Sequence, residues 1–179
     1  MSVYYDIYAT YDGKLFPLYV KDEKKFRVAP ISSGQSRIGS CIRDMHDECL
    51  ADSIKFSDLP EDLKKLYGEG DHNWYTCYSF TPASLASYSK KTDCEGWVDT
   101  YDLIESIRNK CEPNSYYTDA EDVTESVRAH SVYLHWQTDD GDYKMASEIY
   151  ENYRAVMDIL FWNTDIYNMD NIVLYCVGG

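Results

Sequence analysis

The first seventeen positions after Val3 hold two runs rich in β-forming hydrophobic residues, "YYDIYATY" and "KLFPLYV", separated by the polar pair Asp12-Gly13. That pattern predicts a β-hairpin, because an Asp-Gly pair readily takes the positive φ angles of a two-residue turn. Pro17 keeps the second strand away from the centre of a sheet. "KDEKKFRVAPISSGQSR" reads as a polar connection. Ile38, Ile42, Met45 and Cys49 then recur at helical spacing and predict one apolar stripe on a helix running to about Leu50. "FSDLPEDLKKLYGEG" predicts a second helix, with Asp58 as cap, Glu61 three residues later, Pro60 in the tolerant first turn and Gly68 as the stop.

"NWYTCYSF" has the β-branched and aromatic content of a strand, and "TPASLASY" restarts a helix with Thr81 as cap and Pro82 at its first position. "WVDTYDLIESIRNKC" predicts a helix capped by Asp99, with Leu103, Ile104 and Ile107 facing inward. "CEPNSYYTDAED" is a loop. "VTESVRAHSVYLHWQ" is ambiguous at its start and strand-like toward Trp136. Met145, Ile149, Tyr153, Val156 and Leu160 fall three or four apart and define the longest helix, and "NIVLYCV" closes the pattern as an apolar strand. The expected fold is α+β over a single globular domain, 1–179. A small mixed or antiparallel sheet packs against several helices, with an N-terminal hairpin and a C-terminal strand.

Composition changes this picture in two ways. Tyrosine occurs 18 times, and its amphipathic ring suits a core edge or a partner's surface. The net charge of −14 is unevenly placed: residues 1–91 carry 13 acids and 12 bases, residues 92–179 carry 18 acids and 5 bases. A field that negative repels nucleic-acid backbones and anionic membranes and steers basic partners inward. No direct nucleic-acid binding and no membrane association are therefore expected. The opening "MSVYYDIYATYDGK" lacks a basic start and no stretch approaches 18 apolar residues, so neither a leader nor a span is expected. Six dispersed cysteines fit a reducing compartment.

Few residues combine into recognisable chemistry. Cys41, His46 and Cys49 do not supply four converging zinc ligands, and their spacing is that of a core stripe. Neither a metal nor a cofactor is expected. Asp71, His72 and Cys77 raise the question of a thiolate–histidine pair, but Cys77 sits in an apolar run. Asp71-His72 reads instead as a polar elbow that bridges backbone groups. His130 and His135 would face opposite sides of a strand. No catalytic residue is assigned. Candidates for ligand contact are Asp71, His72, Trp74, His135 and Trp136. Candidates for protein contact are Tyr116, Tyr117, Asp119, Glu121, Asp122, Glu125, Asp139, Asp140, Asp142 and Tyr143, where acids adjoin tyrosines. The final "VGG" has a superficial likeness to tails that are adenylated and conjugated.

The chain resembles a loosely defined group of small, acidic, uncharacterised proteins encoded by phages and integrated elements of bacteria. The resemblance lies in "DIYATYDG", in "LPEDLKKLYGEGDHNWYTCYSFTPASLASY" and in "NIVLYCV", and it carries over Pro60, Asp62, Asp71, His72, Ser79 and Leu85. It implies no reaction. It implies a bacterial host's cytoplasm and an accessory role, in which such proteins bind and inhibit a host protein such as a defence factor. With the charge asymmetry, the expected partner is a basic or nucleic-acid-binding host protein, and homo-oligomers are compatible with the sequence. A small-ligand or nucleotide-binding sponge and a small hydrolase are the alternatives.

Overall fold

The computed structural model describes residues 3–20, 24–70, 72–118, 122–160 and 169–179. Their contacts cluster into two compact units, residues 1–89 with 141–179, and residues 90–140. No Pro-, Gly- or Ser-rich linker marks either junction, so the sequence alone leads to one domain.

The first unit is built on an antiparallel sheet. β1 (Tyr5–Tyr11) turns through Asp12 and Gly13, whose φ angles of 49° and 75° both lie in the left-handed region, into β2 (Lys14–Leu15). Tyr11 stands opposite Lys14, so the hairpin follows the turn chemistry of its sequence. Pro17 then starts β3 (Pro17–Val20), which leaves the sheet and pairs with β4 (Lys25–Val28) in a separate ribbon. The expected polar connection is thus partly strand. β5 (Ser32–Gly34), also from that run, pairs with β1. A backbone ladder at a sheet's margin needs no apolar side chains, which is why hydrophobic patterning does not find the polar β5, while β4, "KFRV", is too short to stand out from the charged residues around it.

β6 (Asp52–Ile54), β7 (Thr76–Phe80) and β10 (Ile172–Gly178) complete the sheet in the order β2–β1–β10–β7–β6. β10 is central, flanked by β1 and β7, and both its faces are covered. Ile172, Leu174 and Cys176 join Ile7, Ala9, Tyr78 and Phe80 in the main core, while Val177 meets Tyr8, Cys77, Leu59 and Leu63 on the other side. Burial on both faces explains why "NIVLYCV" is nearly continuous in apolar residues. Full burial of each large side chain contributes about 1.5–3 kcal/mol relative to exposure.

Over the main core lie α1 (Ser36–Asp47), α3 (Pro82–Ser89) and α6 (Gly141–Leu160), with α6 packed on both others. Ile38, Cys41, Ile42 and Met45 form the buried stripe of α1, but Cys49 lies past its end, exposed, at φ 60°. α3 starts as its sequence requires, the Ser84 N–H donating to the Thr81 hydroxyl at 3.0 Å. The expected helix after Phe56 is interrupted. Residues 56–58 form a 3-10 turn, Leu59 and Pro60 are extended, and α2 (Glu61–Lys64) begins without a side-chain cap. Pro60 disfavours helical backbone at Leu59, so Asp58 is too early in the chain to cap α2. α2 ends at Lys64, four residues before the expected stop, and Gly68, at φ 73°, follows the turn beyond it.

The two glycines of "VGG" are also accounted for by the sheet. Tyr4 and Gly179 exchange backbone hydrogen bonds of 3.0 and 2.9 Å. A Cβ on Gly178 would stand 2.3 Å from the Tyr5 ring, and one on Gly179 would stand 2.2 Å from Tyr75. Close ring packing therefore demands glycine at both.

The second unit is a ribbon with two short helices. β8 (Asp93–Asp99) pairs antiparallel along its whole length with β9 (Ser131–Gln137), Asp93 opposite Gln137 and Asp99 opposite Ser131. Between them come α4 (Thr100–Asn109) and α5 (Glu125–His130). Asp99 caps α4, accepting from the Tyr101 N–H at 2.8 Å, and Thr124 accepts from Val127 at 3.3 Å at the start of α5. His130 belongs to α5 rather than to the strand, so its side chain and that of His135 are not related by strand alternation. Among the described residues, no helix is long and apolar enough to cross a membrane.

Candidate functional site

Two regions carry the residues singled out by sequence. The elbow between α2 and β7 holds His72 and Trp74; Asp71 lies outside the described residues. His72 donates from Nε2 to the Gly68 carbonyl at 3.0 Å, satisfying an acceptor just past the helical segment. Its ring lies 4.2 Å from Phe56 and 5.3 Å from Tyr75. Trp74 is 63% exposed and stacks on Tyr75 at 4.2 Å. Phe56, His72 and Tyr75, with Lys55, Ser57 and Asn73, line a cleft of about 450 Å³. Flat rings beside an ammonium suit a planar anionic molecule.

The elbow is not arranged for thiolate chemistry. Cys77 is buried in the cluster behind β7, and burial pushes its thiol up to about 11, so it is protonated at neutral pH. His72 is engaged with Gly68. Among the described residues, no three His, Cys, Asp or Glu side chains converge as a group able to hold a metal ion.

The second region is the ribbon of residues 90–140. One of its faces carries an aromatic row: Trp97 stands opposite Tyr133 with rings 5.5 Å apart, and Tyr133 lies 5.5 Å from His135. His135 Nδ1 is 3.1 Å from the Glu95 carboxylate, and the Arg128 guanidinium lies 6.0 Å from the Trp97 ring centre. On the other face Trp136 is half-buried, edge-on to Tyr116 at 4.8 Å. Tyr117 pairs with Trp97 through two backbone bonds of 2.9 and 3.0 Å, along the edge of β8 opposite to β9. Gly96 permits this approach, because a Cβ there would meet the Tyr117 carbonyl at 2.9 Å.

The acidic candidates divide. Asp122 and Glu125 are exposed at the entry to α5; Asp119 and Glu121 lie outside the described residues. Asp139 and Asp140 are exposed after β9, their N–H groups held by Glu112 and the Thr138 hydroxyl. Asp142 and Tyr143 belong to the first unit. Asp142 accepts from the Ser40 hydroxyl at 3.3 Å, and Tyr143 packs against Tyr88 with rings 4.9 Å apart at the core margin. Tyr143 is therefore a packing residue here rather than an open one.

The apolar stripe of α4 does not lie where helical spacing puts it. The pattern turns Ile104 and Ile107 inward, yet they are 49% and 69% exposed, and Tyr101 is 71% exposed beside them. With Tyr116, Tyr117, Val132 and Tyr133, they make seven exposed large hydrophobic side chains in residues 90–140. Only Val98 and Val123 are buried apolar side chains among the described residues of this unit. Helical spacing shows that residues share a face and is silent about what covers it. The same residues hold 12 acids and 5 bases, a net charge of −7.

Sequence reasoning also passes over a cleft of about 420 Å³ between β5, the start of α1 and α6, whose Ser32 accepts from the Asn152 amide at 3.1 Å. No family model matches the chain, and no curated protein or solved structure is significantly similar to it.

Proposed function

We propose that the protein is an interaction protein that engages a basic partner through residues 90–140. The observation that carries this reading is the coincidence, in one small unit, of seven exposed large hydrophobic side chains with a net charge of −7. Aromatic and aliphatic side chains supply the area that anchors an interface, and surrounding acids speed encounter with a basic surface and reject an acidic one. In the phage setting implied by the sequence resemblance, the partner is a basic or nucleic-acid-binding host protein whose activity is blocked by occupancy. The test is capture of the partner from the bacterial host, followed by association kinetics at low and moderate salt. Asp122→Asn with Glu125→Gln, and separately Asp139→Asn with Asp140→Asn, should slow association and weaken its salt dependence, since exposed charges are screened over about 8 Å near physiological ionic strength. Unchanged rate and salt dependence in both variants would remove the electrostatic part of the proposal.

A second reading rests on the elbow cleft, whose Phe56, His72 and Tyr75 rings beside Lys55 suit a nucleotide. Thermal stabilisation by nucleotides that is lost in Phe56→Ala would favour it.

A further inference from the structure

The two edges of the β8–β9 ribbon are unequal. On the β8 side, both the N–H and the C=O of Trp97 are taken by Tyr117. Backbone groups alternate in direction along a strand, so Cys94, Gly96 and Val98 turn theirs toward β9, where they meet Trp136, Leu134 and Val132. The bond from the Thr138 N–H to the Thr92 carbonyl, 2.8 Å, continues the same parity beyond the strands. It follows that Ser131, Tyr133, His135 and Gln137 direct their N–H and C=O groups away from β8, along the outer edge of β9. Among the described residues, no strand pairs with that edge.

This edge lacks the usual protection. Exposed edges are ordinarily blunted by proline, lysine, bulges or very short strands. β9 is seven residues long, reads "SVYLHWQ", and pairs with β8 without a break in register. Val132 and Tyr133 are 42% and 43% exposed.

We infer that the outer edge of β9 is a docking edge that takes an extended, lysine- or arginine-rich segment of the partner as an added strand. This rests on the reading of residues 90–140 as the surface for a basic partner, and it specifies the mode of engagement. Main-chain hydrogen bonds give such a complex its affinity, while side-chain pockets at alternate positions give specificity. Charge selects the occupant. Asp93 and Glu95 lie on β8 behind the edge, Asp139 and Asp140 follow its end, and Asp122 and Glu125 precede its start. The positive groups nearby are fewer: Lys90 and Lys91 before β8, and Arg128 above Trp97. A cleft of about 390 Å³ beside the last residues of β9 is lined by Asp93, Cys94, His135, Trp136 and Gln137, so a basic side chain entering it meets a carboxylate against an aromatic wall. A second copy of the chain would bring two units of net charge −7 together and is the disfavoured occupant.

The probes are three ten-residue peptides: alternating Lys-Val, the same sequence N-methylated at every peptide nitrogen so that it keeps its charge but has no N–H on either edge, and alternating Glu-Val. The full chain should bind Lys-Val about tenfold more tightly than its N-methylated form, because only the former can donate to the outer edge of β9. Tyr133→Pro removes an outward donor without touching a bond to β8 and should abolish that preference, whereas Tyr133→Val keeps the donor and should retain it. The peptide arm leaves the protein unaltered, so it decides the matter even where the proline variant unfolds the ribbon. Equal affinity for Lys-Val and its N-methylated form, or binding of neither, overturns strand addition while the salt experiment with the captured partner still judges the basic-partner reading. Glu-Val binding as tightly as Lys-Val overturns the charge selection in both. Self-association that Tyr133→Pro abolishes would make a second copy the occupant and overturn the proposal.

Discussion

The larger unit and the ribbon of residues 90–140 solve the problem of burial in opposite ways. Among the described residues of the larger unit, 25 apolar side chains are buried, and the central strand is covered on both faces. Those of the ribbon include two buried apolar side chains and seven large exposed ones. A unit of this size is near the lower limit at which a single core sustains a fold. Its order therefore owes more to local devices, such as the Asp99 cap, the Tyr117 bridge and the Thr100 hydroxyl donating to the His130 carbonyl at 2.7 Å. Apolar surface that would stabilise an ordinary small domain is here left exposed.

The contrast is broken most severely in the larger unit. Leu174→Ala deletes a fully buried side chain from the central strand and should cost about 2–5 kcal/mol of global stability, read from the denaturant midpoint. A loss near zero would mean that the sheet's core is less closely packed than its burial implies.

Alkaline pH should strain the same core next. Burial raises the Cys77 thiol to about 11, and it raises Cys176 as well. The folded state holds these protons more tightly than the unfolded chain, whose thiols ionise near the ordinary 9.0. This stabilisation is complete below pH 9 and is lost as pH climbs toward 11, with Cys77 alone accounting for up to about 2–3 kcal/mol. Cys77→Ala should flatten the alkaline limb of a stability–pH curve measured by denaturant unfolding, whatever it does to the plateau.

The smallest effect separates the units most cleanly. Thr81 and Asp99 cap one helix each, and replacing either by Ala should cost about 1 kcal/mol. Thr81→Ala should lower the global midpoint. Asp99→Ala should leave that midpoint in place and speed amide exchange only within residues 93–137, as expected of a region that opens independently of the main core. Equal shifts of the global midpoint would show that the ribbon and the sheet unfold as one.

The parts of this fold legible in the sequence are those fixed by neighbours along the chain. Asp12-Gly13 gives the hairpin, Thr81 and Asp99 give their caps, and the spacing of Ile149 and Tyr153 gives α6 its buried face. The parts that were not legible depend on partners remote in sequence or on competition between signals. β5 is polar and exists because β1 lies beside it. The Asp58–Glu61 spacing imitates a capping box, but Pro60 forces Leu59 out of the helix. "TESVRAH" is too short, with β-branched Val127 at its middle, to declare α5. For the candidate site, charge and tyrosine content lead to Tyr116, Tyr117, Asp122 and Glu125, whereas the exposure of Ile104 and Ile107 depends on what covers α4, and the open edge at Tyr133 on strand pairing, neither of which a local pattern encodes.

The placement of β10 also sets the order in which the protein is made. β1 and β10 are opposite one another, with the Thr10 hydroxyl bonded to the Val173 carbonyl across 163 residues. At translation rates of about 5–20 residues per second, β1 leaves the ribosome on the order of ten seconds or more before its partner exists. Through that interval Ile7 and Ala9 have no sheet to enter, and the hairpin with β2 is too small to shield them. Closure of the sheet thus waits for residues 172–178, and until they emerge the nascent chain exposes apolar surface that the finished sheet covers.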